Sequence, residues 1–229
     1  MKKILIVEDD NDINKLLSEF LSAEGYETQS AFSGTEVQFY TKQTQFDLIL
    51  LDLMLPGING EEIIQEIRQT NQTPIIVISA KSDKQSKIDV LKSGADDFVS
   101  KPFDLDILSA RIETNLRRSN TLPVNTKNME LTHKGILLQP DSRKVYLNEQ
   151  LLKLTNFEFD ILALLMSNPK KVFTKSNIFE SVWQEESLVG DDGTVSVHIS
   201  HLRTKFAKVS PDIVYIDTVW GIGFKMNDD

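Results

Sequence analysis

The sequence predicts an α/β unit built on a doubly wound, five-stranded parallel sheet, followed by a smaller α+β unit. In the first half of the chain, five short β-branched runs alternate with amphipathic helical patterns. That alternation is typical of a parallel sheet covered by helices on both faces. In the second half, short strand patterns precede three helical patterns, and the chain closes on two more strand patterns. The change of rhythm indicates a second, separate domain.

The expected strands of the first unit follow its apolar runs, at residues 3–7, 27–31, 47–51, 74–78 and 97–99. The runs ILIV, LILL and IIVI are apolar throughout, as expected of strands that are buried on both faces. Helical patterns lie between the strands, and suitable N-cap residues precede them: Asp10 or Asn11, Ser33, and Ser82 or Asp83.

The stretch SNTLPVNTKN is polar and contains a proline, which indicates a linker. We therefore expect a first domain over residues 1–118, a linker over 119–129 and a second domain over 130–229. In the second domain, short strands are expected over residues 130–154, and helices at 156–167, 175–182 and 194–208. Two strand runs around Gly221 and Gly223 predict a closing hairpin.

Composition excludes several classes of protein. The 229 residues include no cysteine, so disulfides, thiolate metal sites and cysteine nucleophiles are excluded. No apolar run approaches the roughly 18 residues of a membrane span. The first apolar run covers only residues 4–7 and acid follows it at once, so no export signal is predicted. We therefore expect a cytoplasmic protein that does not contact a membrane.

The net charge of −9 is unevenly distributed along the chain. Residues 1–118 contain 13 basic and 20 acidic side chains, and residues 119–229 contain 12 and 14. Such acidity is unfavourable for binding nucleic acid, because contacts to phosphates supply much of the affinity. Residues 194–211, however, contain no acid and five basic or ionisable side chains, so this segment is locally suited to a polyanion.

Four of the expected strands end in reactive side chains. Acids follow the first and third strands, a hydroxyl follows the fourth and an amine follows the fifth: Glu8, Asp9, Asp10, Asp52, Ser79 and Lys101. Ligands of doubly wound sheets bind at these carboxyl ends. Crowded carboxylates repel one another, and Mg²⁺ held by one or two carboxylates plus phosphate oxygens relieves that repulsion. The pattern therefore predicts a phosphate-handling magnesium site.

Each of these residues taken alone has an ordinary structural explanation. Asp9 or Asp10 could cap a helix, and Asp52 could be a turn residue before Pro56 and Gly57. Ser79 and Lys101 could be a polar strand end and a surface lysine. It is the complementary set of acid, acid, hydroxyl and amine at four strand ends that favours a site.

The N-terminal half resembles the receiver domain of response regulators over residues 1–118. The motifs are LIVEDD, LLDLMLPGINGEE, ISAK and GADDFVSKPF. The resemblance implies the strand order 2-1-3-4-5 and a phosphoacceptor at Asp52. It implies Mg²⁺ held by Asp9, Asp52 and the Met54 carbonyl, with Glu8 behind them, and a phosphoryl group contacted by Lys101, Ser79 and the Ala80 backbone. It also implies a cis peptide between Lys101 and Pro102.

The same resemblance implies how phosphorylation is transmitted. Ser79 would move towards the phosphoryl group, and the aromatic ring of Phe98, where the family usually has tyrosine, would fill the space. A dimer would form through residues 83–118, with contacts from Lys87, Leu91, Asp96, Asp97 and Arg111. Asp97 and Arg111 would pair across the two-fold axis. Ile107 stands where the family has an acid that meets Lys87, so dimer strength is expected to differ. The alternative explanation of this charge-rich face is an ordinary solvated surface.

Residues 194–208 form the expected helix of greatest interest in the second half. Val195, Ile199, Leu202 and Phe206 are spaced as one buried stripe. Another row, about a third of a turn away, comprises Thr194, His198, His201 and Lys205, with Ser200, Arg203 and Thr204 beside it. A helix with one face packed in the core and another face that is basic and can form hydrogen bonds is suited to recognition in the major groove. The alternatives are a plain amphipathic helix and, for the two histidines, a zinc pair.

Residues 130–227 resemble the OmpR/PhoB-type winged helix–turn–helix domain. The matching stretches are LTNFEFDILALLMSNPKKVFTKSNIFESVW, GTVSVHISHLRTKF and IDTVWGIGFKM. The resemblance implies a recognition helix at 194–205 and a wing at 219–224 that enters the minor groove. DNA contacts are expected from Thr194, His198, His201, Arg203, Lys205 and Trp220. Trp220 stands where arginine is frequent, and Gly193, Ser200 and His201 stand where basic groups are frequent, so we expect weak monomer binding and dependence on paired half-sites.

Together these features predict a two-component transcriptional regulator. A sensor histidine kinase would phosphorylate Asp52, and a homodimer would bind adjacent half-sites on double-stranded DNA, with RNA polymerase as a further candidate partner. The protein would not be a multiple-turnover enzyme. One rival is an aspartyl-phosphate hydrolase, but such enzymes need an acid two residues after the nucleophile, where this chain has Met54. Another rival is an orphan regulator whose receiver only dimerises.

Overall fold

The computed structural model describes residues 1–81, 83–116, 130–184 and 192–228. These residues fall in two compact units, Met1–Leu116 and the part of the chain from residue 130 onwards. Each unit has its own apolar core. The expected linker at residues 119–129 and the alternative cap Ser82 lie outside the described residues.

The first unit is a five-stranded parallel sheet in the order β2-β1-β3-β4-β5, as predicted. Its strands are β1 (Lys3–Val7), β2 (Glu27–Ala31), β3 (Leu48–Asp52), β4 (Ile75–Ser79) and β5 (Asp97–Ser100). Its helices are α1 (Asn11–Ala23), α2 (Gly34–Gln43), α3 (Gly60–Thr70), α4 (Lys84–Ser93) and α5 (Leu105–Leu116). Asp10, Ser33 and Asp83 cap α1, α2 and α4 by accepting backbone N–H bonds.

Strands β3 and β4 each lie one residue later in the sequence than expected. The Asp47 carboxylate lies at the amino ends of β1 and β3, where it accepts the Lys3 backbone N–H at 2.9 Å and binds Lys2 Nζ at 2.7 Å. The strand therefore begins at Leu48 and ends on Asp52, which is paired in register with Ile78. As a consequence, Asp52 is the last residue of a fully buried strand, and the sheet itself fixes the position of its backbone.

The second unit begins with an antiparallel sheet in the order β6-β7-β8-β9. Its strands are β6 (Leu131–His133), β7 (Ile136–Gln139), β8 (Lys144–Leu147) and β9 (Gln150–Leu152). Three helices follow, α6 (Asn156–Ser167), α7 (Lys175–Trp183) and α8 (Asp192–Ala207). A second antiparallel sheet, in the order β10-β12-β11, contains β10 (Phe173–Thr174), β11 (Ile216–Val219) and β12 (Gly223–Met226). The α+β architecture agrees with the prediction.

The two-residue strand β10 is a feature that the sequence did not predict. It pairs with β12 through Phe173 opposite Phe224 and Thr174 opposite Gly223. A Cβ atom on Gly223 would lie 1.9 Å from the Phe173 carbonyl oxygen, so only glycine permits the two strands to approach this closely. The hairpin of β11 and β12 is thereby joined to the chain segment that enters α7.

Candidate functional site

Three carboxylates meet at the carboxyl edge of the parallel sheet. One oxygen atom from each of Glu8, Asp9 and Asp52 lies within 4.8 Å of the others. Glu8 and Asp52 are buried, because each follows or ends a strand covered on both faces, whereas Asp9 is exposed. The carboxylates therefore crowd together as the sequence predicted, and the exposed Asp9 brings one hard oxygen ligand to the solvent side.

Lys101 brings a positive charge into this cluster. Its Nζ atom donates hydrogen bonds to Asp52 Oδ2 at 2.6 Å and to Glu8 Oε2 at 2.7 Å. Burial raises the pKa of the Glu8 carboxyl, and the nearby Asp52 charge adds to this, although Lys101 partly offsets both effects. Burial by itself would lower the pKa of Lys101, but the hydrogen bonds and charges of the two carboxylates outweigh it, so the pKa is raised. Lys101 therefore stays protonated at neutral pH.

The second oxygen of Asp52 faces the loop that follows β3. Its Oδ1 atom accepts the Met54 backbone N–H at 2.9 Å, and the Met54 side chain is exposed. Asp52 thus has one oxygen on the lysine and the other on the loop, which fixes the orientation of the carboxylate plane. The role of the Met54 carbonyl as a metal ligand stays a prediction.

Ser79 and Ala80 lie at the end of the neighbouring strand β4. Ser79 is fully buried, and its Oγ atom accepts the Lys81 backbone N–H at 3.2 Å, while Ala80 is exposed. The peptide between Lys101 and Pro102 is cis, as the resemblance implied. Four strands of the sheet therefore bring acid, amine and hydroxyl groups to its carboxyl edge.

The predicted switch aromatic, Phe98, is buried on β5. In the strand register, Phe98 pairs with Val77 and Ser79 pairs with Ser100. The Lys87 ammonium lies 5.4 Å from the centroid of the Phe98 ring, a distance at which a cation and an aromatic face attract. The ring therefore contacts a residue of the proposed dimer surface on α4.

The prediction that Asp96 is a dimer contact is wrong for this structure, because its side chain is 1% exposed. The carboxylate binds Arg68 Nη2 at 2.5 Å and accepts the Ile75 backbone N–H at 2.9 Å. A buried carboxylate requires such partners, since an unpaired charge in the interior is strongly unfavourable. The hydrogen bonds of Asp96 therefore link the residue before β5 to α3 and β4.

Asp97 and Arg111, which were predicted to pair across a two-fold axis, pair with each other within the chain. Arg111 Nη1 donates to both carboxylate oxygens of Asp97, at 2.8 and 3.0 Å, and both residues are buried. Leu91 is also buried, so it offers no surface to a second copy. Each buried charge therefore has a counter-charge from the same chain, which offsets the cost of removing it from water. Of the five predicted contacts, Lys87 alone is partly exposed, and Ile107 nearby is 52% exposed.

In the second unit, helix α8 packs through the predicted apolar stripe. Val195, Ile199, Leu202 and Phe206 are all buried in the core. The prediction that His198 faces DNA is wrong, because its side chain is 1% exposed. Its ring lies 5.6 Å from Trp183 and 5.7 Å from Phe157, centroid to centroid. Each helical residue turns about 100°, so the row that contains His198 runs along the margin of the buried stripe.

Two further members of that row contact a buried acid on α6 that the sequence analysis missed. Glu158 Oε2 accepts a hydrogen bond from Lys205 Nζ at 2.5 Å, and Oε1 lies 3.8 Å from His201 Nδ1. Glu158 also accepts the Thr155 backbone N–H at 2.8 Å, as the acidic member of a capping box. The T-x-x-E spacing signalled the cap, but its contact with α8 had no sequence signal.

Arg203 is also engaged within the unit. Its guanidinium donates to the Ile216 carbonyl oxygen at 2.8 Å and to Thr218 Oγ1 at 2.8 Å, which links α8 to β11. Thr194 is partly exposed near the start of α8. Trp220, at the turn between β11 and β12, is 90% exposed. Among the described residues, the acid cluster of the first unit is the only potential metal cluster, and the two histidines of α8 form none.

Comparison with known families accounts for both units. Residues 4–113 match the family described as response regulator receiver domain, and residues 148–226 match the family described as transcriptional regulatory protein, C terminal. The chain is a response regulator of the OmpR/PhoB type. It therefore joins a receiver domain to a winged-helix DNA-binding domain, and it is a transcriptional regulator.

Relatives of this response regulator match it along nearly their whole length. It is 41% identical to response regulator ArlR of Staphylococcus saprophyticus, with 98% of each chain covered. It is 36% identical to regulatory protein VanR of Enterococcus faecium, again with 98% of each chain covered. Among solved structures, it is similar to a mutant of RitR (TM-score 0.75, 29% identity, 100% of each chain covered). DrrB, a Thermotoga maritima OmpR/PhoB homologue, is similar at a TM-score of 0.52 and 29% identity, with 99% of each chain covered.

None of the described helices of this response regulator combines the length and the apolar character that crossing a membrane requires. The acid cluster, in turn, is of the kind that receiver domains use to bind Mg²⁺.

Proposed function

We propose that Asp52 accepts a phosphoryl group from a sensor histidine kinase and that this modification controls DNA binding. The observation that supports the proposal most strongly is the position of Lys101 Nζ, 2.6 Å from Asp52 Oδ2, beside two further carboxylates. A structural salt bridge needs one acid for one amine. Three acids around one amine instead leave negative charge that suits a divalent cation.

Asp9 and Asp52, together with the Met54 carbonyl, would hold Mg²⁺, with Glu8 behind them. The residues fit such an ion, because three carboxylate oxygens lie within 4.8 Å of one another and one of the acids is exposed. When bound, Mg²⁺ would neutralise charge that develops on the oxygens of the transferred phosphoryl group.

In the reaction, one carboxylate oxygen of Asp52 attacks the phosphorus of a phosphohistidine. The new oxygen–phosphorus bond forms as the nitrogen–phosphorus bond breaks, and the kinase imidazole leaves with the electron pair. Lys101 would bind one phosphoryl oxygen, and the Ser79 hydroxyl and the Ala80 backbone N–H would bind others. Their contribution is positioning and charge stabilisation, which dominate phosphoryl transfer.

The phosphoryl group adds negative charge at the sheet edge, and we propose that Ser79 and Phe98 transmit this change to the α4–β5–α5 face. A symmetric receiver dimer would follow, with Lys87 at its surface, and two winged-helix domains would bind adjacent DNA half-sites. Simultaneous binding of two sites raises affinity without new contacts at either site. Helix α8 would enter the major groove and Trp220 the minor groove. The protein would act in the cytoplasm, with RNA polymerase as a candidate partner.

Beryllofluoride, which occupies a phosphoryl site, tests this proposal in two measurements. With Mg²⁺ and beryllofluoride, sedimentation should show a dimer, and binding to DNA with two half-sites should tighten about 10- to 100-fold. The matched variant Asp52→Asn keeps the side-chain volume but loses the charge, and it should show neither response. An unchanged mass and an unchanged DNA affinity for the parent chain would contradict the proposal.

A further inference from the structure

The face of α8 that points away from the core carries small side chains. Ser200, Thr204 and Ala207 are all exposed, and at about 100° per residue they lie within about 60° of one another around the helix. They lie on the far side of α8 from the buried apolar stripe. If this face of the helix enters a major groove, these side chains face the base edges.

The basic side chains of α8 are held elsewhere by contacts inside the domain. Lys205 is bound to the buried carboxylate of Glu158, and His201 lies beside the same carboxylate. Arg203 donates from Nε and Nη2 to the β11 backbone and from Nη2 to Thr218. The commonest specific contact to guanine comes from an arginine or lysine that is directed at its O6 and N7 atoms. Within α8, these contacts direct the Lys205 and Arg203 charges away from the exposed face, and the exposed Lys208 follows the helix directly.

Thr204 presents a methyl group to solvent for a specific reason. Its hydroxyl donates a hydrogen bond to the Ser200 carbonyl oxygen at 2.9 Å, one turn earlier in the same helix. The hydroxyl proton is therefore used within α8, which leaves the methyl group as the apolar group available to a ligand. Ala207 offers a second methyl group on the same face. In the major groove, the apolar partner for such groups is the 5-methyl group of thymine.

From these contacts we propose that α8 recognises its half-site chiefly through thymine methyl groups that pack against Thr204 and Ala207, not through guanine. This inference rests on the proposed placement of α8 in the major groove. The Ser200 hydroxyl is exposed beside these two side chains. It can donate a hydrogen bond to a neighbouring base or accept one from it, so it does not select a single base. Half-sites are accordingly rich in thymine at the positions that face this end of α8.

The test begins with selection of duplexes from a random library by the full-length chain, with and without beryllofluoride. In the selected duplex, each thymine is replaced in turn by deoxyuridine, which removes only the 5-methyl group. Loss of one buried methyl contact should weaken binding about fourfold. We expect this loss at one or two positions in each half-site.

Variants of Thr204 and Ala207 assign the effect to the proposed contacts. Thr204→Ser removes the methyl group and keeps the hydroxyl, whereas Thr204→Val keeps a methyl group and removes the hydroxyl. In Thr204→Ser, the loss of affinity on deoxyuridine substitution should disappear at one thymine position. In Ala207→Gly, it should disappear at a different position. In Thr204→Val, it should remain at both. Such non-additivity between a protein change and a DNA change reports direct contact.

The possible outcomes separate the inference from the function on which it rests. Selected duplexes that bind tightly but show no deoxyuridine effect, or the same effect in both methyl-deleting variants, would overturn thymine recognition and leave DNA binding intact. Failure to enrich any duplex under either condition would overturn DNA binding itself, and the inference with it.

Discussion

The Nζ atom of Lys101 lies 2.6 Å from Oδ2 of Asp52, although 49 residues separate them in the chain. The parallel sheet explains the contact. Asp52 ends β3 and Lys101 follows β5, so both are delivered to the same edge with β4 between them. This edge is the point at which doubly wound sheets bind their ligands.

Replacing Lys101 should separate its two roles. Lys101→Ala leaves the buried carboxylates of Glu8 and Asp52 facing each other without a counter-charge, and it removes the group proposed to bind a phosphoryl oxygen. We expect labelling of the chain by acetyl phosphate to slow at least about tenfold, measured by phosphate-affinity electrophoresis. Lys101→Arg keeps the charge and should retain more activity than Lys101→Ala. Equal labelling rates in all three proteins would contradict the role of the ammonium group.

Magnesium should stabilise the receiver domain through its acid cluster. At a Mg²⁺ concentration about ten times Kd, binding adds about 1.4 kcal/mol to the free energy of unfolding, because only the folded domain has the site. Thermal unfolding with and without Mg²⁺ measures this difference. Asp9→Asn should lose most of it, whereas Asp12→Asn, an exposed acid in the first turn of α1, should keep it. If both variants respond to Mg²⁺ as the parent does, the ion binds elsewhere.

The buried pair of Asp97 and Arg111 should stabilise the single chain. Removing one member leaves the other charge buried without its partner, which costs about 3–5 kcal/mol. Urea unfolding of Asp97→Asn and Arg111→Met, without phosphoryl donor, should therefore show a loss of this order for the receiver domain. Were the pair to form only between protomers, both variants would unfold like the parent and would differ only in dimerisation.

The close approach of β10 and β12 at Gly223 predicts a local packing defect. Gly223→Ala places a Cβ atom against the Phe173 carbonyl, and separating the strands should cost about 1–3 kcal/mol of the stability of the winged-helix domain. Gly221→Ala is the matched control: this glycine has a φ of +75° but no atom within 4 Å of a new Cβ, so only about 1 kcal/mol is expected. Equal losses for the two variants, measured by thermal unfolding, would show that backbone strain and not crowding is responsible.

The sheet of the receiver domain and its site were largely predictable from sequence. Strands that are apolar throughout, such as those that end in Asp52 and Ser79, are typical of a parallel sheet covered on both faces, and parallel strands deliver their carboxyl ends to one edge. Residue type and order along the chain were therefore sufficient. The one-residue shift of β3 depended on the bond between Asp47 and Lys3, which no local pattern reveals.

The surfaces were less predictable, because they depend on tertiary partners. Helical spacing placed His198 in one row with Thr194 and Lys205, so it was expected to face DNA, but it is buried against Phe157 and Trp183. The family resemblance assigned Asp96 to a dimer surface, but Arg68, 28 residues earlier, binds it in the interior. A charge or a histidine in a sequence does not by itself reveal whether a partner from another element is within reach.

The location of the phosphoryl group is the central claim, and chemical trapping tests it most directly. The chain is incubated with acetyl phosphate and Mg²⁺ and then treated with borohydride, which reduces an aspartyl phosphate to homoserine. Peptide mass spectrometry then identifies the altered position. We expect homoserine at position 52 and no conversion in Asp52→Asn. Homoserine at another aspartate, or a chain without conversion under conditions that fully label a control receiver, would contradict the account.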